Sequence, residues 1–333
     1  MRNFLQLKEN EMQLVYNRLQ TELKLPAQAI EKDFWVTVIL QAIFSLPIAQ
    51  HLVFKGGTSL SKAWNLIDRF SEDIDLALNP EALGLEQGDM TKKQIKKLRK
   101  ASSIFVSETF SSQLIQRLTE LGLLNWLSVE VQHDGVGDNT YPEPRQIYIT
   151  YRSVAANTFN YIRPIVVLEI GARSLIEPTE AVDISSMLSQ VIPLQPICSP
   201  KIVTAIPAKT FLEKVFLLHE LFSIEGHGMQ ANRKSRHLYD LWKMMDKPFA
   251  IAAIHDNNLW ETIRHHREIF TSVSGMDYSL DIRKNLTLVP REDIRANWES
   301  DYESMSSAMI YGDKPTFDVL CDQMRVLQER FKQ

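Results

Sequence analysis

The fold is decided by the stretch Ser71-Glu72-Asp73-Ile74-Asp75-Leu76 and by the turn Phe54-Lys55-Gly56-Gly57-Thr58-Ser59 that precedes it. In a β-strand, residues two positions apart point to the same face of the sheet, so we expect Asp73 and Asp75 to lie side by side. Two carboxylates at that distance repel each other unless a cation lies between them. The pair therefore predicts a site for a divalent cation.

The neighbouring residues indicate which cation and which substrate would bind there. Oxygen ligands suit Mg²⁺, with Mn²⁺ as an alternative, and Mg²⁺ typically combines one or two carboxylates with substrate phosphates. The turn offers backbone N–H groups and hydroxyls, which bind phosphates well. We therefore predict a site for Mg²⁺ and an NTP. The residues expected to bind the nucleotide are Lys55, Gly56, Gly57, Thr58 and Ser59.

Each half of this pattern also has an ordinary interpretation. An Asp-x-Asp pair occurs on exposed edge strands, and Gly-Gly makes plain turns. The spacing is more informative, because thirteen residues separate Ser59 from Asp73. That is enough for one helix and a return to the sheet, which brings hydroxyls and carboxylates to the same end of neighbouring strands.

The overall composition limits the possible partners and surroundings. The 333-residue chain has 37 basic and 41 acidic residues, so no global field attracts it to nucleic acid, and RNA contact requires a local basic patch. Cys198 and Cys321 have neither metal-ligand nor disulfide spacing. The N-terminus is charged, and the most apolar stretch, residues 35–49, is too short to cross a bilayer. We expect a cytoplasmic protein without membrane contact.

Hydrophobic periodicity indicates a helical lead-in, a mixed β/α part and a helical C-terminal part. We expect helices at 8–24, 28–45 and 59–67, and a long helix or helix pair at 90–122. We expect strands at 52–54, 74–78, 127–132, 146–151 and 165–170. Prolines 193, 196 and 200 indicate a linker. The prediction is an α+β fold with a core over residues 1–195 and a helical C-terminal lobe over 200–333.

Two glutamates are candidates for a third metal-binding carboxylate. Glu169 interrupts an otherwise apolar strand, where a charge is costly unless it is paired or binds a metal. Its alternative role is an ion pair with Arg173. Glu130 is the rival, but its strand alternates in polarity, so its carboxylate can face water. We prefer Glu169.

Two further charged residues lie on predicted helices of the C-terminal lobe. Lys214 falls on the apolar stripe of its helix, where an ammonium group needs an anion such as a nucleotide phosphate, or a stem that reaches past the apolar edge. Asp240 lies one turn from Arg236, which allows an ordinary surface ion pair. His237 shares its flank with Asp240, and its role is open.

A basic cluster occupies residues 92–100, Lys-Lys-Gln-Ile-Lys-Lys-Leu-Arg-Lys. On a helix, Lys92, Lys96 and Lys100 form one row. A solvated helix face is the ordinary interpretation of such a row. The alternatives are a contact with an RNA backbone or with an acidic partner.

Residues 54–62 and 69–76 together resemble the AbiEii/AbiGii-type nucleotidyltransferase toxins of the DNA-polymerase-β-like nucleotidyltransferase superfamily. Shared features are the Gly-Gly or Gly-Ser turn followed by Asp-x-Asp, and an upstream segment like Glu31-Lys32-Asp33-Phe34-Trp35. The similarity runs from about residue 28 to about residue 317. The turn here keeps a hydroxyl but not the smaller Gly-Ser form.

The resemblance implies a nucleotidyltransferase-like mixed sheet flanked by helices, with the helical lobe completing the active-site cleft. It implies active-site roles for Lys214 and for Asp240, which stands in an Arg-x-x-Tyr-Asp position as either a base or an orienter of Lys214. It further implies NMP transfer from an NTP to an RNA, the 3′ end of tRNA, and a cognate antitoxin as partner. The alternatives are a phosphotransferase that moves the γ-phosphate to a protein hydroxyl, and a non-catalytic nucleotide- or RNA-binding regulator.

Overall fold

A computed structural model describes residues 1–71, 73–136, 140–155, 162–198, 200–229 and 231–333, without the side chains of Arg2 and Leu280. The described residues form two compact units. The first comprises Met1–Ala63 and Phe70–Ala205, and the second comprises Trp64–Arg69 and Ile206–Gln333. Among the described helices, none is both long and apolar enough to pass through a membrane.

The first unit combines helices with a β-sheet. Its helices are α1 (Arg2–Leu5), α2 (Glu9–Leu23), α3 (Ala27–Phe44), α4 (Gly56–Lys62), α5 (Lys92–Phe105) and α6 (Ser111–Glu120). Its strands are β1 (Leu52–Lys55), β2 (Asp73–Leu78), β3 (Leu127–Val131), β4 (Arg145–Tyr151), β5 (Ile165–Gly171), β6 (Thr179–Val182) and β7 (Ile202–Ala205). The predicted long helical segment is thus two α-helices that are joined by a π-helical turn at Val106–Phe110.

The described strands form one mixed sheet in the order β3-β4-β5-β2-β1-β7-β6. The central strand β2 is antiparallel to β1 and parallel to β5. Helix α3 is buried along its whole length, and it packs against β2, β5 and β7. This places the core of the unit between α3 and the buried side of the sheet.

The second unit is helical. It contains α7 (Pro207–Ser223), α8 (Arg236–Met244), α9 (Pro248–His255), α10 (Asn257–His266), α11 (Glu292–Met309) and α12 (Phe317–Lys332). Aromatic side chains such as Phe216, Trp260 and Phe331 pack together inside it. The α+β class, with a mixed sheet flanked by helices and a helical C-terminal part, is therefore confirmed.

One local expectation was wrong in detail. The helix predicted at 59–67 begins at Gly56 and ends at Lys62, because β1 passes directly into α4. Gly56 makes the change of direction with a φ of +79°, a conformation that glycine adopts without strain. The following segment, Trp64–Arg69, groups with the second unit. Arg69 in this segment forms an isolated β-bridge with Ile310, so the segment does not continue the helix.

Candidate active site

Strand β2 carries its two aspartates on one face. Asp73 and Asp75 are half-buried, whereas Ile74 and Leu76 between and after them are buried on the opposite face. This alternation is what the sequence predicted from the two-residue period of a strand. The two aspartates therefore lie on the acidic face of β2, opposite to Ile74 and Leu76.

The first glycine of the turn lies against the second aspartate. Lys55 pairs with Asp75 across the antiparallel β1–β2 ladder, which brings Gly56 beside the carboxylate. A Cβ atom on Gly56 would lie 2.1 Å from Asp75 Oδ2 and 2.8 Å from its Cγ. Only glycine fits here, both for its positive φ and for this close approach. The start of α4 and the Asp75 carboxylate thus form one compact site.

Glu169 is the neighbour of Asp75 on the next strand. The two residues are partners in the parallel β2–β5 register and therefore point to the same face. Glu169 Oε1 accepts a hydrogen bond of 2.6 Å from Gln146 Nε2, and Gln146 Oε1 accepts one of 2.7 Å from the Tyr148 hydroxyl. These contacts orient the Glu169 carboxylate beside Asp75.

The structure argues against both alternatives to Glu169 as a metal-binding residue, namely an ion pair with Arg173 and the rival residue Glu130. Arg173, its suggested ion-pair partner, instead pairs with Glu143. Glu130 lies on β3, three strands away from β2 in the sheet order, and its side chain is 73% exposed. Strand spacing of roughly 4.8 Å puts it about 14 Å from the aspartates. Of the two glutamates, only Glu169 adjoins Asp75.

The acidic face suits a divalent cation that is completed by a substrate. Among the residues that the structure describes, no hydrogen bond or ion pair reaches the half-buried Asp75 carboxylate. The same described residues contain no group of three or more His, Cys, Asp or Glu side chains already arranged to hold a metal. Mg²⁺ typically binds through one or two carboxylates together with water and substrate phosphates. The donors present fit that mode better than a complete protein cage.

The two hydroxyls of the turn are already engaged. Thr58 Oγ1 lies 2.8 Å from Ser71 Oγ and also donates to the Asp73 carbonyl, while Ser59 Oγ donates to the Gly56 carbonyl at 2.8 Å. Both side chains are buried. Thr58 therefore fixes the start of β2. The first N–H groups of α4 have no partner within the helix, and they are therefore the remaining candidates for phosphate donors.

Buried acids of α3 hold neighbouring segments of the first unit in place. Asp33 forms an ion pair of 2.5 Å with Lys62 at the end of α4 and accepts a 2.7 Å hydrogen bond from the Met187 N–H. Glu31 accepts a 2.7 Å hydrogen bond from the Val154 N–H. The segment upstream of the core is thus a structural support. Lys62 serves Asp33 and is not directed at the nucleotide site.

The second unit contains a buried cluster of charges around Asp240. Arg69 Nε donates to Asp240 Oδ1 at 2.6 Å and Arg69 Nη2 to Oδ2 at 2.8 Å, while Lys214 Nζ lies 3.0 Å from Oδ2. All three side chains are buried. The sequence allowed a surface ion pair between Asp240 and Arg236, but the described structure gives the Asp240 carboxylate other partners. Asp240 is instead shared between Arg69 and Lys214.

The charges of the cluster change the proton affinity of its members. Burial alone would raise the pKa of Asp240, but the charges of Arg69 and Lys214 outweigh it and hold that pKa well below the ordinary value. Burial lowers the pKa of Lys214, an effect that Asp240 opposes. An aspartate with this pKa and with both oxygens bound to cations is poorly suited as a base. Of its two possible roles, the geometry favours orienting Lys214.

His237 completes the cluster as a neutral acceptor. Its Nδ1 lies 3.1 Å from Lys214 Nζ. Burial, reinforced by the charge of Lys214, lowers the pKa of His237 well below the usual value. The ammonium group therefore donates to Nδ1, and the ring proton is on Nε2. Lys214 is held between a carboxylate and an imidazole, which fixes the direction of its side chain.

The structure thus groups the predicted site residues within each unit. Asp73, Asp75 and Glu169 share a face of the first unit beside Gly56, and Lys214 meets Asp240 in the second. Sequence reasoning missed Arg69 as the partner of Asp240, since 171 residues separate them. The only sequence feature that could have drawn attention to Arg69 was its position just before the acidic stretch.

Comparison with known proteins relates the chain to a protein family and to a solved structure. A sequence model of the family described as "Nucleotidyl transferase AbiEii toxin, Type IV TA system" matches residues 38–323. Among solved structures, the chain is similar to MenT4, a nucleotidyltransferase toxin from Mycobacterium tuberculosis H37Rv, with 16% sequence identity, a TM-score of 0.44 and 98% of each chain covered. No curated protein matches the chain.

Proposed function

The chain belongs to the AbiEii nucleotidyltransferase toxin family of type IV toxin–antitoxin systems, and on this premise we propose that it transfers a nucleoside monophosphate from an NTP to an RNA. The acceptor in this proposal is the 3′ end of a tRNA, and the partner that neutralises the toxin is a cognate antitoxin. The acceptor hydroxyl oxygen forms a bond to the α-phosphorus, and pyrophosphate leaves. The reaction takes place in the cytoplasm.

One observation carries the proposal. Asp73 and Asp75 share a face of β2, Glu169 adjoins Asp75, and the Asp75 carboxylate lies against Gly56 at the start of α4. Carboxylate oxygens beside a helix start combine donors for a cation with N–H groups for phosphates. A bound divalent cation would stabilise the charge on the attacking and leaving oxygens.

The residues of the first unit then have separate roles. Asp73, Asp75 and Glu169 supply carboxylate oxygens to the cation, here Mg²⁺ or Mn²⁺. The backbone N–H groups at the start of α4 bind the phosphates in this proposal. Thr58 and Ser59 keep that backbone in place through their own hydrogen bonds, and Lys55 adds positive charge. Most of the rate gain comes from positioning and electrostatic stabilisation.

Lys214 and Asp240 are proposed to serve the same reaction from the helical lobe. In this role the Lys214 ammonium group neutralises charge on the triphosphate. Asp240 orients Lys214 and is a positioning residue, held in turn by Arg69. The supporting geometry is that of the buried cluster itself, in which Lys214 has a fixed direction.

Radiolabel transfer tests the proposal. The protein is incubated with bulk RNA, Mg²⁺ and each NTP, labelled with ³²P at the α- or the γ-phosphate. We expect α-label in RNA and γ-label in pyrophosphate alone. Transfer of γ-label to a protein hydroxyl would instead identify a phosphotransferase. The absence of transfer from all four NTPs would leave a binding regulator.

Aspartate variants provide the controls for this assay. We expect Asp73→Asn and Asp75→Asn to abolish transfer because each removes a carboxylate from the cation. Asp183→Asn is the matched control, since its carboxylate is 76% exposed and pairs with Lys201 at the surface. Induced expression in growing cells should show toxicity for the wild type and for Asp183→Asn. Equal toxicity of Asp75→Asn would contradict a catalytic origin.

A further inference from the structure

Helix α5 presents an exposed row of lysines. Lys92, Lys93, Lys96 and Lys97 are all exposed, and within the described part of the chain their side chains form no ion pair or hydrogen bond. Lys100 lies over the Tyr141 ring and Arg99 donates to the Tyr141 carbonyl, so these two are partly used. The first four define what we call the lysine row.

The arrangement of the row is unfavourable for the isolated helix. Lys92 and Lys93 occupy the first turn, where the helix dipole disfavours positive charge. Lys92 and Lys96, and likewise Lys93 and Lys97, are like charges four residues apart, which repel each other. No acidic residue occurs between Thr91 and Ser107 to offset them. An external anion would remove this repulsion.

The rest of the chain has the opposite charge. With the six cations of residues 92–100 set aside, 31 of the 37 basic residues remain elsewhere, together with all 41 acidic residues. The body of the protein therefore repels a polyanion, whereas the lysine row attracts it. Such a contrast orients an approaching nucleic acid towards one surface.

The row is separate from the proposed catalytic site. On its inner side α5 buries Ser103, whose hydroxyl lies 3.0 Å from Arg145 Nη1. Arg145 shares a face of β4 with Ile147 and Ile149, which is opposite to the face of Gln146 and Glu169. A triphosphate bound beside Asp75 is therefore on the other side of the sheet, and the row requires a larger anion.

The chemistry of the row favours a nucleic acid over a protein. Protein interfaces are depleted in lysine and depend on buried aromatic or apolar anchors. Within the described residues, the exposed large hydrophobic side chains all lie outside α5. Lysines whose ammonium groups have no partner act as point charges that suit phosphates without reading bases. Four helix residues rise about 6 Å, so Lys92 and Lys96 follow one another along the helix, and Lys93 and Lys97 form a second such pair beside them.

We propose that the lysine row binds the sugar–phosphate backbone of the RNA acceptor, away from the catalytic site and without sequence preference. This inference rests on the proposed function, in which RNA is the acceptor. The row contributes affinity and orientation, and it leaves the chemical step to the residues of the acidic face. Its loss should therefore raise KM for RNA and leave kcat close to the wild-type value.

The test measures binding of fluorescently labelled bulk tRNA by anisotropy over a range of KCl concentrations, without NTP. The variant is the full chain with Lys92→Gln, Lys93→Gln, Lys96→Gln and Lys97→Gln. A matched control removes four exposed lysines elsewhere, at positions 201, 247, 284 and 332, and so has the same net charge. We expect the row variant to bind at least about tenfold more weakly at low salt, with a salt slope smaller by about 3.

Each outcome bears on the proposal. Weaker tRNA binding by the row variant alone supports it, and equal weakening by both variants would contradict it. Unchanged tRNA binding with lost affinity for polyglutamate would make the row a site for acidic proteins and overturn the inference. Melting temperature separates misfolding from lost contacts, because relief of the repulsion should leave the row variant at least as stable as wild type. If the wild-type protein binds tRNA through the lysine row but transfers no nucleotide, only the proposed function is refuted.

Discussion

The Asp75 carboxylate occupies the space next to Gly56 so closely that a methyl group on the glycine would lie 2.1 Å from Oδ2. A candidate cation ligand and the start of a candidate phosphate-binding helix are therefore fixed relative to each other. Any change at Gly56 must move Asp75 or the first turn of α4. This coupling is the basis of the first prediction.

Gly56→Ala should abolish nucleotidyl transfer, with a loss of about a hundredfold or more, because a displacement of about 1 Å in a catalytic group has that effect. The matched control is Gly84→Ala. Gly84 also has a positive φ, of 67°, but a Cβ there would meet no atom within 4 Å. Both variants introduce similar backbone strain, so only Gly56→Ala should lose activity in the label-transfer assay. Similar losses in both would contradict the role of the contact.

Arg69→Met should lower the free energy of unfolding by about 3–5 kcal/mol, because it leaves part of a buried charge uncompensated. Urea unfolding measures the effect. Arg325→Met is the control, since the Arg325–Asp322 pair is exposed and should be worth less than about 1 kcal/mol. The double variant Arg69→Met/Asp240→Leu should be less destabilised than the sum of the single variants. Additive effects would show that the two residues are not coupled.

Lys214→Met should reduce transfer by about a hundredfold or more if its ammonium group stabilises triphosphate charge. Lys243→Met is the control, because Lys243 forms an ion pair of 2.6 Å with Asp68 in the same unit and has no proposed catalytic role. The rates should be compared at saturating NTP and after confirming folding by circular dichroism. Wild-type transfer by Lys214→Met would restrict the buried cluster to a structural role.

Stability should fall as the pH decreases from about 6.5 towards 4. Burial lowers the pKa of His219 and of His266 to about 4, and burial with the charge of Lys214 lowers that of His237. In this interval the unfolded chain binds protons that the folded chain does not, so each histidine destabilises the fold by up to about 1.4 kcal/mol per pH unit.

Urea unfolding at several pH values measures that slope. His266→Gln should reduce it, because one histidine with a lowered pKa no longer contributes. His133→Gln should leave it unchanged, since the His133 side chain is 93% exposed. A stability that rises as the medium becomes more acidic would contradict the assignment of neutral imidazoles in the folded protein.

The sequence predicted those parts of the site that depend on local spacing. The Asp73–Asp75 pair follows from the strand period, and Glu169 from the cost of a charge in an apolar strand. Arg69 could not be predicted, because its contact with Asp240 joins positions 171 residues apart. The hydrogen bonds that occupy Thr58 and Ser59 depend on how α4 packs against β2, which no local pattern reveals.

The strands that were missed have a similar explanation. Strands β6 and β7 are four residues each, and β6 lies at the edge of the sheet with two exposed positions. Such strands have too few alternating residues to be distinguished from loops. The start of α4 was placed three residues late because Gly-Gly normally interrupts a helix, whereas here the positive φ of Gly56 joins strand and helix.

The most direct test of the account is anomalous diffraction from crystals grown with Mn²⁺ and a non-hydrolysable NTP analogue. We expect an anomalous peak within about 2.2 Å of carboxylate oxygens of both Asp73 and Asp75, with the triphosphate completing its ligands beside Gly56. An analogue bound elsewhere, or a well-occupied NTP with no metal peak at the two aspartates, would contradict the central claim.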